Sequence, residues 1–376
     1  MRAMNNYLWG RRTAALLLAA GLILTSACSK DSEETSTTTE TSAQETTTEE
    51  TTAAETTAEE TTEETTTETT SEATTAAPAF VLPFSGKAVD DEELLHRRPL
   101  AVMMDNHPDA RPQAGLTEAD LVYEIKVEGT YTRYMLVFQS EDLPRVGPIR
   151  SSREYYLDEM QGLQALYLHV GGAAPALERI ADEGYETLDF VGMERDSSRG
   201  KVAPHNVYSQ QTLMEAAAER RGFDLTVEDV RAYSYNTEAK VPAGGQAAEE
   251  VEVEFWPDNI SLFTYDEETG AYTLAKDANP IIDQNTDETF PITNIIIREA
   301  ESRPIGNTWL DIDVVGEGAG WYVTQGKAVE ITWSKESVDE LARYYDADGN
   351  ELQLNPGKTW IEVVDPGDPV TFSPAD

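Results

Sequence analysis

The chain is 376 residues long, with 70 acidic against 28 basic residues and a formal net charge of −42. That balance argues against a nucleic-acid partner, which calls for a basic patch or stripe to meet phosphates. Its one cysteine, Cys28, leaves the rest of the chain without a disulfide, a catalytic thiolate or a cysteine metal site.

Arg2, Arg11 and Arg12 form a positive flank to an apolar run from Thr13 to Leu24. The run is shorter than the about 20 apolar residues that span a bilayer, so it reads as an export signal. Leu24-Thr25-Ser26-Ala27-Cys28 resembles a lipobox, with Thr25 where leucine is usual. Residues 1–28 are therefore expected to be a lipoprotein signal peptide. Cys28 is expected to carry the lipid, palmitate among its acyl chains, that holds the protein at the extracytoplasmic face of the cell membrane. An uncleaved signal anchor or a plain secreted product would export the chain equally.

Residues 29–85 are dominated by Thr, Glu, Ala and Ser. Such a stretch buries too little surface to offset its ordering entropy, and its like charges extend it. It reads as a disordered stalk whose threonines permit O-glycosylation.

Residues 86–235 mix short apolar strands with helices. Strands are predicted at Pro99–Met104, Leu121–Val127, Tyr134–Phe138 and Ala165–His169. Helices are predicted from Ser151 to Leu163, from Pro175 to Asp182 and from Gln211 to Arg221, the last stopped by Gly222. Ser151 reads as an N-cap with Glu154 completing a capping box. Residues 236–250, around Pro242-Ala243-Gly244-Gly245, read as a linker. Residues 251–376 look mainly β, with strands at Val251–Phe255, Ile295–Ile297, Trp321–Thr324 and Val329–Trp333, the last two a hairpin about Gln325-Gly326. The expected fold is an α+β or α/β N-terminal domain followed by a mainly β C-terminal domain.

Polar residues that rarely border apolar strands without cause gather in the first domain. Asp105 and Asn106 end a strand, where α/β folds place ligand-facing groups, or else form an Asx turn. Glu124 and Glu128 share strand parity, which suits an acid and base pair, although Lys126 lies on the same face. Gly147-Pro148-Ile149-Arg150-Ser151-Ser152-Arg153 is the strongest local signal. A helix start flanked by Arg150 and Arg153 suits an anion, unless those arginines pair with Asp105, Glu124 or Glu128. His169 precedes Gly171-Gly172, and His205 sits in a Pro-His-Asn turn with Asn206; either ring suits proton exchange near neutrality. Arg111, Arg133 and Arg199 complete the candidate ligand-binding set. No HExxH, Gly-x-Ser-x-Gly or P-loop pattern is present, so no metal site is expected and no cofactor is named.

Several ordered stretches together resemble one family. They are Arg111-Pro-Gln-Ala-Gly-Leu116, Ala119-Asp-Leu-Val-Tyr-Glu124, Glu128-Gly129, Gly147 through Arg153, His169 with Gly171-Gly172, and Ala203-Pro-His-Asn-Val-Tyr208. In the second domain come Gly326-Lys327, Ile331-Thr-Trp333, Gly349-Asn350 and Asn355-Pro-Gly-Lys-Thr-Trp360. These resemble the motifs of YerB-like bacterial lipoproteins. The resemblance implies a two-domain envelope lipoprotein, mainly of Gram-positive bacteria, and implies no reaction.

Three functions fit the residues. The first is a surface-anchored protein that binds an anionic envelope ligand, a cell-wall glycan, peptide carboxylate or phosphate, against Arg150, Arg153, Arg199 and the two histidines. The second is an envelope hydrolase using Asp105, Glu124 or Glu128 with His169 or His205. The third is an assembly scaffold whose Trp321, Trp333 and Trp360 form a contact surface, unless they are core.

Overall fold

The computed structural model describes residues 80–306 and 309–374. The signal peptide, Cys28 and the stalk up to residue 79 lie outside the described residues. Within the last residues assigned to the stalk, Leu82 and Phe84 are buried, and Phe80–Val81 pairs with Ala88–Val89. No helix among the described residues is long and apolar enough to cross a membrane.

The principal strands in chain order are β1 (Leu100–Asp105), β2 (Leu121–Lys126) and β3 (Thr132–Phe138), followed by helix α1 (Glu154–Gly162). Then come β4 (Leu166–His169), helix α2 (Ala174–Glu183), β5 (Thr187–Asp189) and helix α3 (Gln211–Arg221). The remainder is β: β6 (Glu250–Trp256), β7 (Asn259–Asp266), β8 (Ala271–Lys276) and β9 (Asn294–Glu299). It continues with β10 (Gly316–Thr324), β11 (Lys327–Lys335), β12 (Thr359–Val364) and β13 (Val370–Ser373).

One mixed sheet runs through both halves of the sequence in the order β11-β10-β9-β12-β2-β3-β1-β4-β5, with Gln246–Ala247 on its outer edge and Arg343–Tyr345 also pairing β11. Its centre is the parallel pair β12–β2, in register from Thr359 opposite Leu121 to Val363 opposite Ile125. Every residue of β2, β3 and β12 is buried, as expected of strands covered on both faces. On one face, Val122, Tyr134, Leu136 and Trp360 pack with Val253, Phe263 and Leu274 of a second sheet, ordered β8-β7-β6-β13, and with Met214 and Ala217 of α3. The opposite face holds Tyr155, Tyr156 and Met160 of α1 against Met103, Tyr123, Met135 and Ile361.

The packing buries charge as well as hydrocarbon. Glu124 of β2 and Lys276 of β8 are both 0% exposed at the side chain, with Lys276 Nζ 2.7 Å from Glu124 Oε1. Thr132 Oγ1 donates to the same oxygen at 2.6 Å and Asn106 Nδ2 at 3.2 Å. Glu362 of β12 stands opposite Glu124 in register and is fully buried. Burial, then the charge of Glu124, pushes its carboxyl well above the usual range. A folded-state carboxyl raised in this way keeps its proton where the unfolded chain has lost it. Its contribution to stability is therefore present at low pH and is lost as pH rises past the ordinary glutamate range. Glu362→Gln removes that loss: urea unfolding at pH 7.5 should show a higher midpoint than wild type, with the difference shrinking near pH 4.5. A variant no more stable than wild type at pH 7.5 contradicts the assignment.

Candidate functional site

The polar cluster at the end of β1 is assembled by three segments zipped side by side. Asp105 N–H donates to Pro148 O at 2.9 Å, and Arg150 N–H donates to Met103 O at 2.9 Å. Ile149 N–H then donates to Val207 O at 2.7 Å, which draws the Ala203–Tyr208 turn alongside. Gly147 is required here: its φ of +145° and the 2.6 Å from an ideal Cβ to Val207 O exclude any side chain. The peptide bonds before Pro112, Pro148 and Pro204 are cis.

Asp105 is the hub. Its Oδ2 lies 2.7 Å from His205 Nδ1 and 3.1 Å from Arg150 Nε, while Oδ1 accepts the His107 N–H at 3.1 Å. The His205 ring stacks on His107 with centroids 4.7 Å apart, and Tyr131 lies 4.9 Å beyond His107. Asp105 is buried, whereas the Arg150 side chain retains 22% of its exposure.

A second group adjoins the first. Arg153 forks onto Glu128 with contacts of 2.5 and 2.6 Å. Burial alone would raise the Glu128 carboxyl, yet those hydrogen bonds and the Arg153 charge hold it below the usual range. Arg133 NH1 donates to Ser151 O at 2.6 Å and has no carboxylate at ion-pair distance among the described residues. Burial, then the charges of Arg153 and Arg150, lowers the Arg133 guanidinium to about 10. The arginines do pair with carboxylates of the expected set, Arg150 with Asp105 and Arg153 with Glu128, while Glu124 takes neither.

Helix α1 begins two residues later than a Ser151 cap requires: Arg153 is its N-cap and makes no side-chain capping bond. Ser151 and Ser152 are committed elsewhere, since Ser151 O accepts Arg133 and Ser152 N–H donates to Gly171 O at 2.9 Å. Gly171 and Gly172 line up with this segment through the Ser152–Gly172 bridge. His169 is buried, its Nδ1 2.9 Å from Gly171 O, and burial lowers its basicity. Its Nε2 is buried with no hydrogen-bond partner among the described residues.

The remaining candidates lie apart. Glu124 belongs to the interior network with Lys276, so it and Glu128 serve different partners despite their even spacing. Arg111 wraps Asn106, donating to its Oδ1 and its backbone carbonyl at 3.1 Å. Asn106 thus joins the loop to the interior network. Arg199 pairs with Asp287 on the surface at 3.1 Å. Asn206 accepts Arg195 at 2.8 Å and donates to Ser197 at 3.0 Å, which fixes its own loop. Sequence reading passed over His107, Tyr131, Lys201 and Asp283. Lys201 holds the loop before Gln113 by donating to Ala110 O and Pro112 O at 2.7 and 2.5 Å. Asp283 of the C-terminal segment accepts the Gly115 and Thr117 N–H groups. The only advance signal for His107 was its place beside the Asp105-Asn106 strand end. Glu128 borders a cavity of about 360 Å³, and another of about 770 Å³ beside Val241 is lined by Trp321 and by none of the candidate catalytic or ligand-binding residues.

Residues 84–224 match the N-terminal domain, and residues 251–361 the C-terminal domain, of a family described as "Protein of unknown function (DUF3048)". The Bacillus subtilis protein named "Putative lipoprotein YerB" is 33% identical over 290 residues, 75% of this chain and 86% of that protein. The chain belongs to the YerB-like family. The crystal structure of YerB from Bacillus subtilis matches with a TM-score of 0.71 at 29% identity, covering 78% of this chain and 99% of that one. The expected division of the family's fold into a mixed sheet with helices and a mostly stranded C-terminal region is borne out.

Proposed function

We propose that this protein is an envelope lipoprotein, anchored through Cys28 at the extracytoplasmic face, whose head binds an anionic ligand at the end of β1. The observation that carries the binding reading is the gathering of Arg133, Arg150 and Arg153 beside only two partner carboxylates among the described residues, Asp105 and Glu128. An anion bearing phosphate or carboxylate oxygens compensates that excess, with Arg150 the partly exposed member best placed to contact it. Asp105 then holds Arg150 and His205 in position. Of the three tryptophans of the scaffold reading, Trp333 and Trp360 are core and Trp321 is half-buried, packed against Phe372.

Hydrolysis is the second reading, favoured by one contact, the 2.7 Å between Asp105 and His205, which suits a carboxylate orienting a proton-carrying imidazole. Glycerol-phosphate oligomers and peptide-bearing wall glycan fragments separate the two. At least one probe should bind wild type in a salt-dependent way, and Arg150→Ala should weaken it by about tenfold or more, as expected for a charge-assisted hydrogen bond. Unchanged affinity in Arg150→Ala, or no binding of either probe, removes the binding reading; cleavage of the bound probe in the same incubation favours the hydrolase.

Anchoring is tested separately. Cys28→Ala should release the head from washed membranes into the medium, as judged by immunoblotting after a high-salt wash. Retention of the variant would point instead to an uncleaved signal anchor.

A further inference from the structure

Two histidines with no metal-ligand spacing in sequence meet in the fold. The candidate ligand atoms of His107, Asp109 and His205 all lie within 4.8 Å of one another. Asp105 Oδ2, 2.7 Å from His205 Nδ1, fixes that ring so that Nε2 is the nitrogen left to bind. A carboxylate behind a ligating imidazole is the usual supporting shell of a metal-bound histidine. The rings of His107 and His205 are stacked with 26° between their planes, so one ring must turn for a nitrogen of each to face the same ion.

We infer that His107, Asp109 and His205 form a binding site for a divalent ion of the zinc class, with Asp105 as the residue that positions His205. Two imidazoles and one carboxylate suit a borderline ion, whereas calcium and magnesium call for oxygen ligands throughout. Ligands about 2.1 Å from a tetrahedral zinc stand about 3.4 Å apart, so the three must close by up to about 1.4 Å. The Asp109 side chain is 76% exposed and can rotate inward, and the His107 ring, 30% exposed, must turn from the Asp109 N–H that its Nδ1 accepts at 3.1 Å. Three protein ligands leave a fourth position for water or an anion. Arg150 Nε lies 3.1 Å from the same Asp105 oxygen that holds His205.

The site shares His205 with the binding reading above but does not rest on it. Its probe is the metal alone, so either can fail without the other. The test is a competition titration of Zn2+ into the detergent-solubilised full chain carrying Cys28→Ser, which removes the one thiol. One equivalent should bind in preference to the weak sites of the acidic stalk. His107→Ala and His205→Ala should each lower its affinity about a hundredfold, and Asp105→Asn about 10- to 100-fold. Replacement by Co2+ should give the intense visible bands of a four-coordinate ion, lost in the same variants. Asp109→Ala, at an exposed position that leaves the core untouched, should also weaken binding and covers the case in which a histidine variant fails to fold. Absence of a one-equivalent site in wild type, or equal affinity in wild type, His205→Ala and Asp109→Ala, overturns the inference.

Discussion

Moving a carboxylate and an ammonium out of water costs several kcal/mol per ion, a cost offset only where geometry and supporting hydrogen bonds are good. Glu124 and Lys276 meet that condition at the centre of the head, with Thr132 and Ser261 completing the shell. The pair links β2 of the N-terminal segment to β8 of the C-terminal segment, directly over the parallel junction of β2 with β12. Removing either side chain of the pair would leave the other charge buried without its partner. Apolar contact on both faces of the sheet then supplies the bulk of the stabilisation.

The polar cluster depends on the same interior. Asn106 touches Glu124 through its amide nitrogen and receives Arg111 and Gln113 on its amide oxygen. Its neighbour Asp105 turns to the opposite side and organises Arg150, His107 and His205. The last residue of β1 and the one that follows it thus divide the work, one facing the cluster and one facing the core network. The C-terminal segment contributes from a distance: Asp283 fixes the loop at Gly115, and Lys358 donates to the carbonyls of Leu116 and Thr117.

Much of this was legible in the sequence. The α3 boundaries match, and the main strands fall within a few residues of their expected places, because periodicity and glycine stops are local signals. Ser151 as a helix cap failed because its segment had non-local partners, Arg133 and Gly171, that no local pattern discloses. Glu124 and Glu128 looked like a pair by spacing; β2 ends at Lys126, and the glutamates go to Lys276 and Arg153. Asp105 and His205 are 100 residues apart and Glu124 and Lys276 are 152 apart, so their meeting depends on topology. The parallel β2–β12 junction was hidden for the same reason.

Native-state hydrogen exchange on the amides of β2 and β12 tests the shared interior most directly. Residues from Val122 to Ile125 and from Ile361 to Val363 should exchange with the same, highest free energy and the same denaturant dependence, as members of one cooperative unit. Exchange of β12 through a partial opening that leaves β2 protected would contradict the account.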